Sequence, residues 1–299
     1  MQVIQHPEQI INSNGLKLNF DSFGDPQHPP IVLIMGLGTQ MIFWHDEFCK
    51  QIAVMGFWVI RFDNRDIGKS SWLDDEAPPG KLSTLGNVLF NRTLKTPYLL
   101  DDMADDTLGL MAALKIDSAH LVGASMGGMI AQCVALKMPE KVKTLTSIMS
   151  STGNRSLPKP KPSVSFKLTA RAPKTTAGYL THALSLWRLI HGEHYPFIEE
   201  DVTQLLQQAF QRGINQNGVT RQFGAIIASP DRTQALSNLD IPSLIVHGDM
   251  DPLVPVECGI ATANAIPNAK LRLFKGMGHT MPKSLWSDII DEISLLTTH

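Results

Sequence analysis

Short apolar runs of β character alternate along this chain with longer stretches whose apolar residues recur at helical spacing. Residues 31–35, 57–63, 120–124, 144–149, 243–247 and 270–274 predict strands. Between them, 101–114 places Met103, Leu110, Met111 and Leu114 on one helical face, with Asp101 and Asp102 near the start, where the helix dipole favours negative charge. Residues 126–138 bury Ile130, Cys133 and Val134 and stop before Pro139. Strand and helix in alternation predict an α/β fold, a parallel sheet covered on both faces.

The rhythm breaks near residue 152. In Leu157-Pro158-Lys159-Pro160-Lys161-Pro162 each proline fixes φ and removes a donor, so the segment reads as a linker. From about 174 to 229 the pattern is helical, with Tyr179, Leu180, Leu184, Trp187 and Leu189 in one stretch and Val202, Leu205, Leu206, Ala209 and Phe210 in the next. Residues 152–237 are therefore expected to form a helical cap, inserted into a core made of 1–151 and 238–299. A site is expected between cap and sheet edge.

Composition narrows the function. Of 299 residues, 43% are hydrophobic and 18% charged, and the formal net charge is -2. That balance suits a globular enzyme and argues against nucleic acid or an anionic membrane as partner, since both call for concentrated positive charge. The start of the chain lacks the basic and apolar regions of a secretory signal, and no apolar run is long enough to span a bilayer. Cys49, Cys133 and Cys258 lie too far apart for a zinc motif or a disulfide scaffold. The expectation is a reduced, cytoplasmic protein, monomeric or homodimeric, without metal or cofactor. The sequons at Asn91 and Asn154 are read as unmodified on the same grounds.

The chemistry concentrates around Gly123-Ala124-Ser125-Met126-Gly127, a G-x-S-x-G motif with a buried strand before it and a helix after it. A sharp strand-to-helix turn pushes the Ser125 hydroxyl above the sheet and demands neighbours without bulk, which Gly123 and Gly127 supply. The helix that follows aims its free N–H groups at the reacting centre. A serine needs a base, and the base a group that orients it. His279, in a glycine loop after the last predicted strand, is the candidate base, and Asp251, on the loop after the preceding strand, the candidate acid. Asp249 falls earlier in that turn, and His247 reads as a strand-end residue that shapes it. For the oxyanion, the donors expected are the backbone N–H groups of Met126 and of Leu37, the latter in the Met35-Gly36-Leu37-Gly38 loop.

With these residues placed, the chain resembles the α/β-hydrolase superfamily along nearly its whole length. Arg61-Phe62-Asp63-Asn64-Arg65-Asp66-Ile67-Gly68-Lys69-Ser70 looks like the D-x-R-x-x-G-x-S segment that follows a core strand in that family and reads as structural. The family's other position for the acid, after the strand ending near Met149, holds only Ser150, Ser151 and Thr152. Within the superfamily, the 35–38 loop, the run 44–48 and residues 64–68 look most like the group typified by aclacinomycin methylesterase. That resemblance implies hydrolysis of carboxylic esters without a cofactor, on a small-molecule ester. Many relatives carry His-Gly where this chain has Met35-Gly36, which leaves the backbone donor intact.

Other chemistries share the frame. A peptidase of the proline iminopeptidase type would need acidic cap residues, for which Glu193, Glu199, Glu200 and Asp201 are candidates. Lactonase, carbon–carbon bond hydrolase and perhydrolase activities fit the same three residues, and a ligand receptor on a hydrolase scaffold is the rival from another class. Met35, Met126, Met277 and Met281 are candidates for an adaptable pocket lining. Asp101, Asp102, Asp105 and Asp106 read as a solvated helix face, and Cys133 as a buried thiol of low reactivity.

Overall fold

The computed structural model describes residues 3–80 and 94–297. Its eight strands form one sheet: β1 (Gln5–Ser13), β2 (Leu16–Phe23), β3 (Pro30–Ile34), β4 (Trp58–Phe62), β5 (Ala119–Ala124), β6 (Val142–Ile148), β7 (Ser243–Gly248) and β8 (Lys270–Phe274). They lie in the order β1-β2-β4-β3-β5-β6-β7-β8. The β1–β2 and β2–β4 pairs are antiparallel and the rest parallel. All six strands expected from the sequence are present, with no end displaced by more than two residues and 270–274 matched at both ends.

The inner strands are near-continuous apolar runs because both faces are covered. Alternate side chains of one strand enter different cores. Val32, Ile34 and Leu121 pack with helices α2 (Leu100–Ala113) and α3 (Met126–Lys137) on one face. Ile31, Leu33 and Val122 pack with α1 (Asp46–Val54) and α9 (Trp286–Thr297) on the other.

The β1–β2 hairpin is absent from the sequence expectation. β1 is an edge strand, mostly exposed and containing Pro7, so it carries little apolar signal. Its cue was the turn, Asn14-Gly15, both residues at positive φ (50° and 75°) as a two-residue hairpin requires.

Between β6 and β7 run five helices: α4 (Pro162–Thr169), α5 (Thr176–His191), α6 (Glu199–Arg212), α7 (Gln216–Ala228) and α8 (Thr233–Leu236). The proline-rich linker is shorter than expected, because Pro162 opens α4 from its first turn, where its missing N–H costs nothing. Buried charges stitch this block to the sheet. Arg221 of α7 grips Asp66 with two bonds, Nη2 to Oδ1 at 2.6 Å and Nε to Oδ2 at 2.8 Å, and Arg212 of α6 pairs with Asp63. The D-x-R-x-x-G-x-S segment is thus a structural anchor.

One expectation is corrected here. Asp106 does not belong to a solvated face: it is 2% exposed and paired with Arg65 at 2.5 Å. Asp101 and Asp105 do face outward, where both reach Lys137, while Asp102 caps the Leu99 N–H at 2.7 Å. Asp106 follows Met103 by three residues and precedes Leu110 by four, so it shares their inward face. The Asn91 sequon lies outside the described residues.

Candidate active site

At the end of β5 the chain turns through Ser125, with φ 55° and ψ -120°, into α3. A non-glycine residue held at positive φ stores backbone strain, and the surroundings hold it there. The Ser125 N–H donates to the Ile148 carbonyl at 2.8 Å, and the Ser125 carbonyl accepts from Ser150 Oγ at 2.7 Å and from the Gly128 N–H at 3.0 Å. The flanking glycines are sterically required: a Cβ on Gly123 would lie 2.2 Å from the Gly127 carbonyl oxygen, and one on Gly127 would lie 2.0 Å from that of Ile34.

The structure brings Asp251 and His279 to this serine. His279 Nε2 is 3.0 Å from Ser125 Oγ, and His279 Nδ1 is 2.6 Å from Asp251 Oδ2. Asp251 is buried, and its other oxygen accepts the N–H groups of Leu253 and Val254, each at 2.8 Å. Asp249 points elsewhere, accepting the Gly276 N–H at 2.6 Å and so tying the two loops together. His247 is fully buried, which pushes its pKa down, and its Nε2 meets the Val254 carbonyl at 2.8 Å, shaping the turn that carries Asp251.

The loop 35–38 lies against the elbow, close enough that a Cβ on Gly36 would be 3.1 Å from Ser125 Cβ. Leu37 is on that loop, and Met126 is the first residue of α3. Neighbouring amides are committed: the Gly38 N–H donates to Gln222 Oε1 at 2.9 Å and the Thr39 N–H to the Gly36 carbonyl at 3.3 Å. Gln222, fully buried in α7, also donates from Nε2 to the Arg65 carbonyl at 2.8 Å, and Asn64 Nδ2 holds the Met35 carbonyl at 2.9 Å. The sequence reading missed both supports of this loop.

Ser125 and His279 open onto a cavity of about 850 Å3, between the sheet edge and the helices that link β6 to β7. Phe43 and Trp187 stack on its wall with ring centroids 4.9 Å apart. Of the cap residues singled out from sequence, Trp187, Val202 and Leu205 line it, whereas Leu206 and Ala209 are buried in packing. Of the four methionines, Met35 and Met281 line it, and Met126 and Met277 are fully buried in the two cores.

Asp201 is the one member of the proposed acidic set on the cavity wall, and it is bound to Lys283; Glu199 pairs with Arg188. Burial pushes the Cys133 thiol pKa up, in keeping with an unreactive side chain. Among the described residues, no group of three or more His, Cys, Asp or Glu is placed to hold a metal ion, and no helix is long and apolar enough to cross a membrane.

Comparison with known proteins agrees with this architecture. The chain is 28% identical to the rhodomycin D methylesterase DauP of Streptomyces sp. (strain C5), over 92% of this chain and 93% of that protein. It is also 28% identical to a 2-hydroxymuconate semialdehyde hydrolase of Pseudomonas putida, over 58% of this chain and 60% of that one. The enol-lactonase from Burkholderia xenovorans LB400 superposes with a TM-score of 0.75 over 97% of this chain and 100% of its own, at 20% identity. A family profile described as the alpha/beta hydrolase fold matches residues 29–282, and this chain belongs to that family.

Proposed function

We propose that this protein is a carboxylic ester hydrolase that cleaves methyl or other small-alcohol esters of a bulky, largely apolar acid, with Ser125 as nucleophile. The observation that carries the reading is the chain of contacts from Ser125 Oγ to His279 Nε2 at 3.0 Å and from His279 Nδ1 to Asp251 at 2.6 Å, on a serine held at φ 55°.

The mechanism follows from those contacts. Asp251 accepts the Nδ1–H of His279, which leaves Nε2 with a lone pair facing the serine hydroxyl. As Ser125 Oγ attacks the ester carbonyl, Nε2 takes its proton. The N–H groups of Leu37 and Met126 receive the oxyanion, each such donor contributing about 3 kcal/mol to the transition state. His279 then protonates the departing alcohol, and the acyl group stays on Ser125. Water, deprotonated by the same histidine, attacks the acyl-enzyme and releases the acid.

Residues 152–237 serve as the cap, and the apolar cavity beneath them takes the acyl portion. Its size falls within the range of small-molecule sites. The likeness to a methylesterase over 92% of the chain supports an ester as the substrate class. The peptidase reading loses ground, because the one cavity-lining acid from its set is already paired with Lys283.

The test is turnover of esters graded by acyl size and alcohol size, on the wild type and on Ser125→Ala. The variant is expected to lose about 10^4-fold or more in kcat. Wild-type rates in Ser125→Ala would overturn the assignment, and tight binding of the panel without turnover by the wild type would point to a receptor instead.

A further inference from the structure

Cations dominate the charged lining of the cavity. Arg155, Lys159, Arg232 and Lys283 line it, and the carboxylate that lines it with them, that of Asp201, is bound to Lys283. Arg155, Lys159 and Lys283 are exposed, with water to solvate them. Arg232 is different, because it is 5% exposed.

Its guanidinium is held by neutral groups. Nε donates to Gln132 Oε1 at 3.1 Å, Nη2 to the Ser151 carbonyl at 3.0 Å and Nη1 to the Pro230 carbonyl at 3.4 Å. Asp231, its neighbour in sequence, turns away and accepts from the N–H and Oγ1 of Thr233. Among the described residues no carboxylate is bonded to Arg232, and the remaining N–H groups of its fork have no acceptor. Arginine keeps its proton in proteins, so this is a buried charge that Asp231 attracts through space but that no carboxylate bonds, a costly arrangement.

A second observation points the same way. The residue beside the guanidinium is Gly153, where a Cβ would stand 3.5 Å from Nη1 and 3.6 Å from Nη2. Gly153 is held at φ 87°, where glycine is favoured, and with no side chain of its own it lines the cavity beside Arg232. Ser151, whose carbonyl holds Nη2, lines the same cavity as Ser125.

We propose that this end of the cavity is an anion-binding subsite, in which Arg232 receives a carboxylate carried on the acyl portion of the ester. The planar fork suits that group, since guanidinium and carboxylate pair through parallel charge-assisted bonds. The substrate class becomes the half-ester of a bulky dicarboxylic acid, with the ester at Ser125 and the free acid at Arg232. This inference rests on the reading of Ser125 as the nucleophile.

The test compares monomethyl and dimethyl esters of aromatic dicarboxylic acids of graded length, on the wild type, Arg232→Lys and Arg232→Met. The quantity read is the ratio of kcat/KM for the half-ester to that for the neutral diester. The ratio is expected to fall about tenfold or more in Arg232→Met, with Arg232→Lys in between. The same ratio in wild type and Arg232→Met, or a tenfold wild-type preference for the diester, would overturn the subsite.

If Arg232→Met does not fold, inhibition of the wild type by the free diacids against their neutral diamides decides, and equal inhibition overturns it. If the wild type hydrolyses neither ester, the Ser125 reading has failed on its own. Calorimetric binding of the diacids to wild type and Arg232→Lys then judges the subsite, and equal affinity overturns it.

Discussion

The backbone N–H of His279 donates to the carbonyl of Ile190, in the last turn of α5, at 2.6 Å. The residue after His279 is tied to the same turn, through Thr280 Oγ1 and His191 Nδ1 at 2.7 Å. The loop that carries the proposed base is thus fastened to a helix of the β6–β7 insertion as well as to the sheet.

Gly278 lets that fastening form. A Cβ there would lie 2.4 Å from the carbonyl oxygens of both Ile190 and His191. Gly278→Ala is expected to push the His279 loop away from α5 and lower kcat about tenfold to a hundredfold, with a smaller change in KM. Steady-state kinetics on an ester substrate checks this, and an unchanged kcat would show that the loop holds His279 without the helix.

Gln222 plays the corresponding part for the proposed oxyanion loop, 35–38. Gln222→Ala leaves the Gly38 N–H and the Arg65 carbonyl without their partner. The expected cost is about 1–3 kcal/mol of folding stability, together with a fall in kcat from a displaced Leu37 amide. Denaturant unfolding and kinetics on the same preparation separate the two effects. A loss of stability with full kcat would place Gln222 in packing alone.

Asp66 and Arg221 form a buried pair, with side chains 0% and 1% exposed, and Tyr98 Oη donates to the same carboxylate at 2.7 Å. Asp66 sits at φ 71°, a conformation asparagine tolerates, so Asp66→Asn removes charge without backbone strain. It leaves the buried Arg221 with only the exposed Asp74 carboxylate, 3.7 Å from Nη2, and is expected to destabilise the fold by about 3 kcal/mol. Adding Arg221→Met should recover part of that loss. Equilibrium unfolding of the single and double variants measures it, and strictly additive losses would contradict the coupling.

Burial pushes His120 from its ordinary pKa of 6.5 down to about 4, and its Nδ1 meets Thr144 Oγ1 at 3.0 Å. The sign follows directly: between those two values the unfolded chain binds a proton that the folded chain does not. Stability is therefore whole above pH 6.5 and declines as pH falls towards 4, by about 2 kcal/mol at pH 5 from this residue. His120→Gln should flatten that decline in urea midpoints measured at pH 7.5 and pH 5. An identical pH slope in the variant would assign the loss to other groups.

Much of the frame was legible in the chain because it depends on short-range patterns. Ser125 was readable from two glycines, a strand before and a helix after, since the elbow is a matter of local sterics. Asp251 and His279 were readable as loop residues after strands. Asp106 was misread although its cue was present, because it repeats the spacing of Met103 and Leu110, and a charge at such a position demands a partner; Arg65 supplies it from 41 residues away. The linker before Pro162 was overextended, as proline ends one helix and starts the next equally well.

By itself the sequence determined six of the eight strands, the sharp turn at Ser125 and the residue types proposed for the site, because backbone strain and side-chain periodicity act within a few residues. The tertiary structure decided which groups meet. Gln222 reaches Gly38 across 184 positions and His279 reaches Ser125 across 154. That no carboxylate bonds Arg232 is likewise decided by the packing, since Asp231 beside it in the chain accepts from Thr233 instead. Such meetings follow from how the β6–β7 helices dock on the sheet, a balance of burial and charge pairing summed over the whole molecule, which no local pattern encodes.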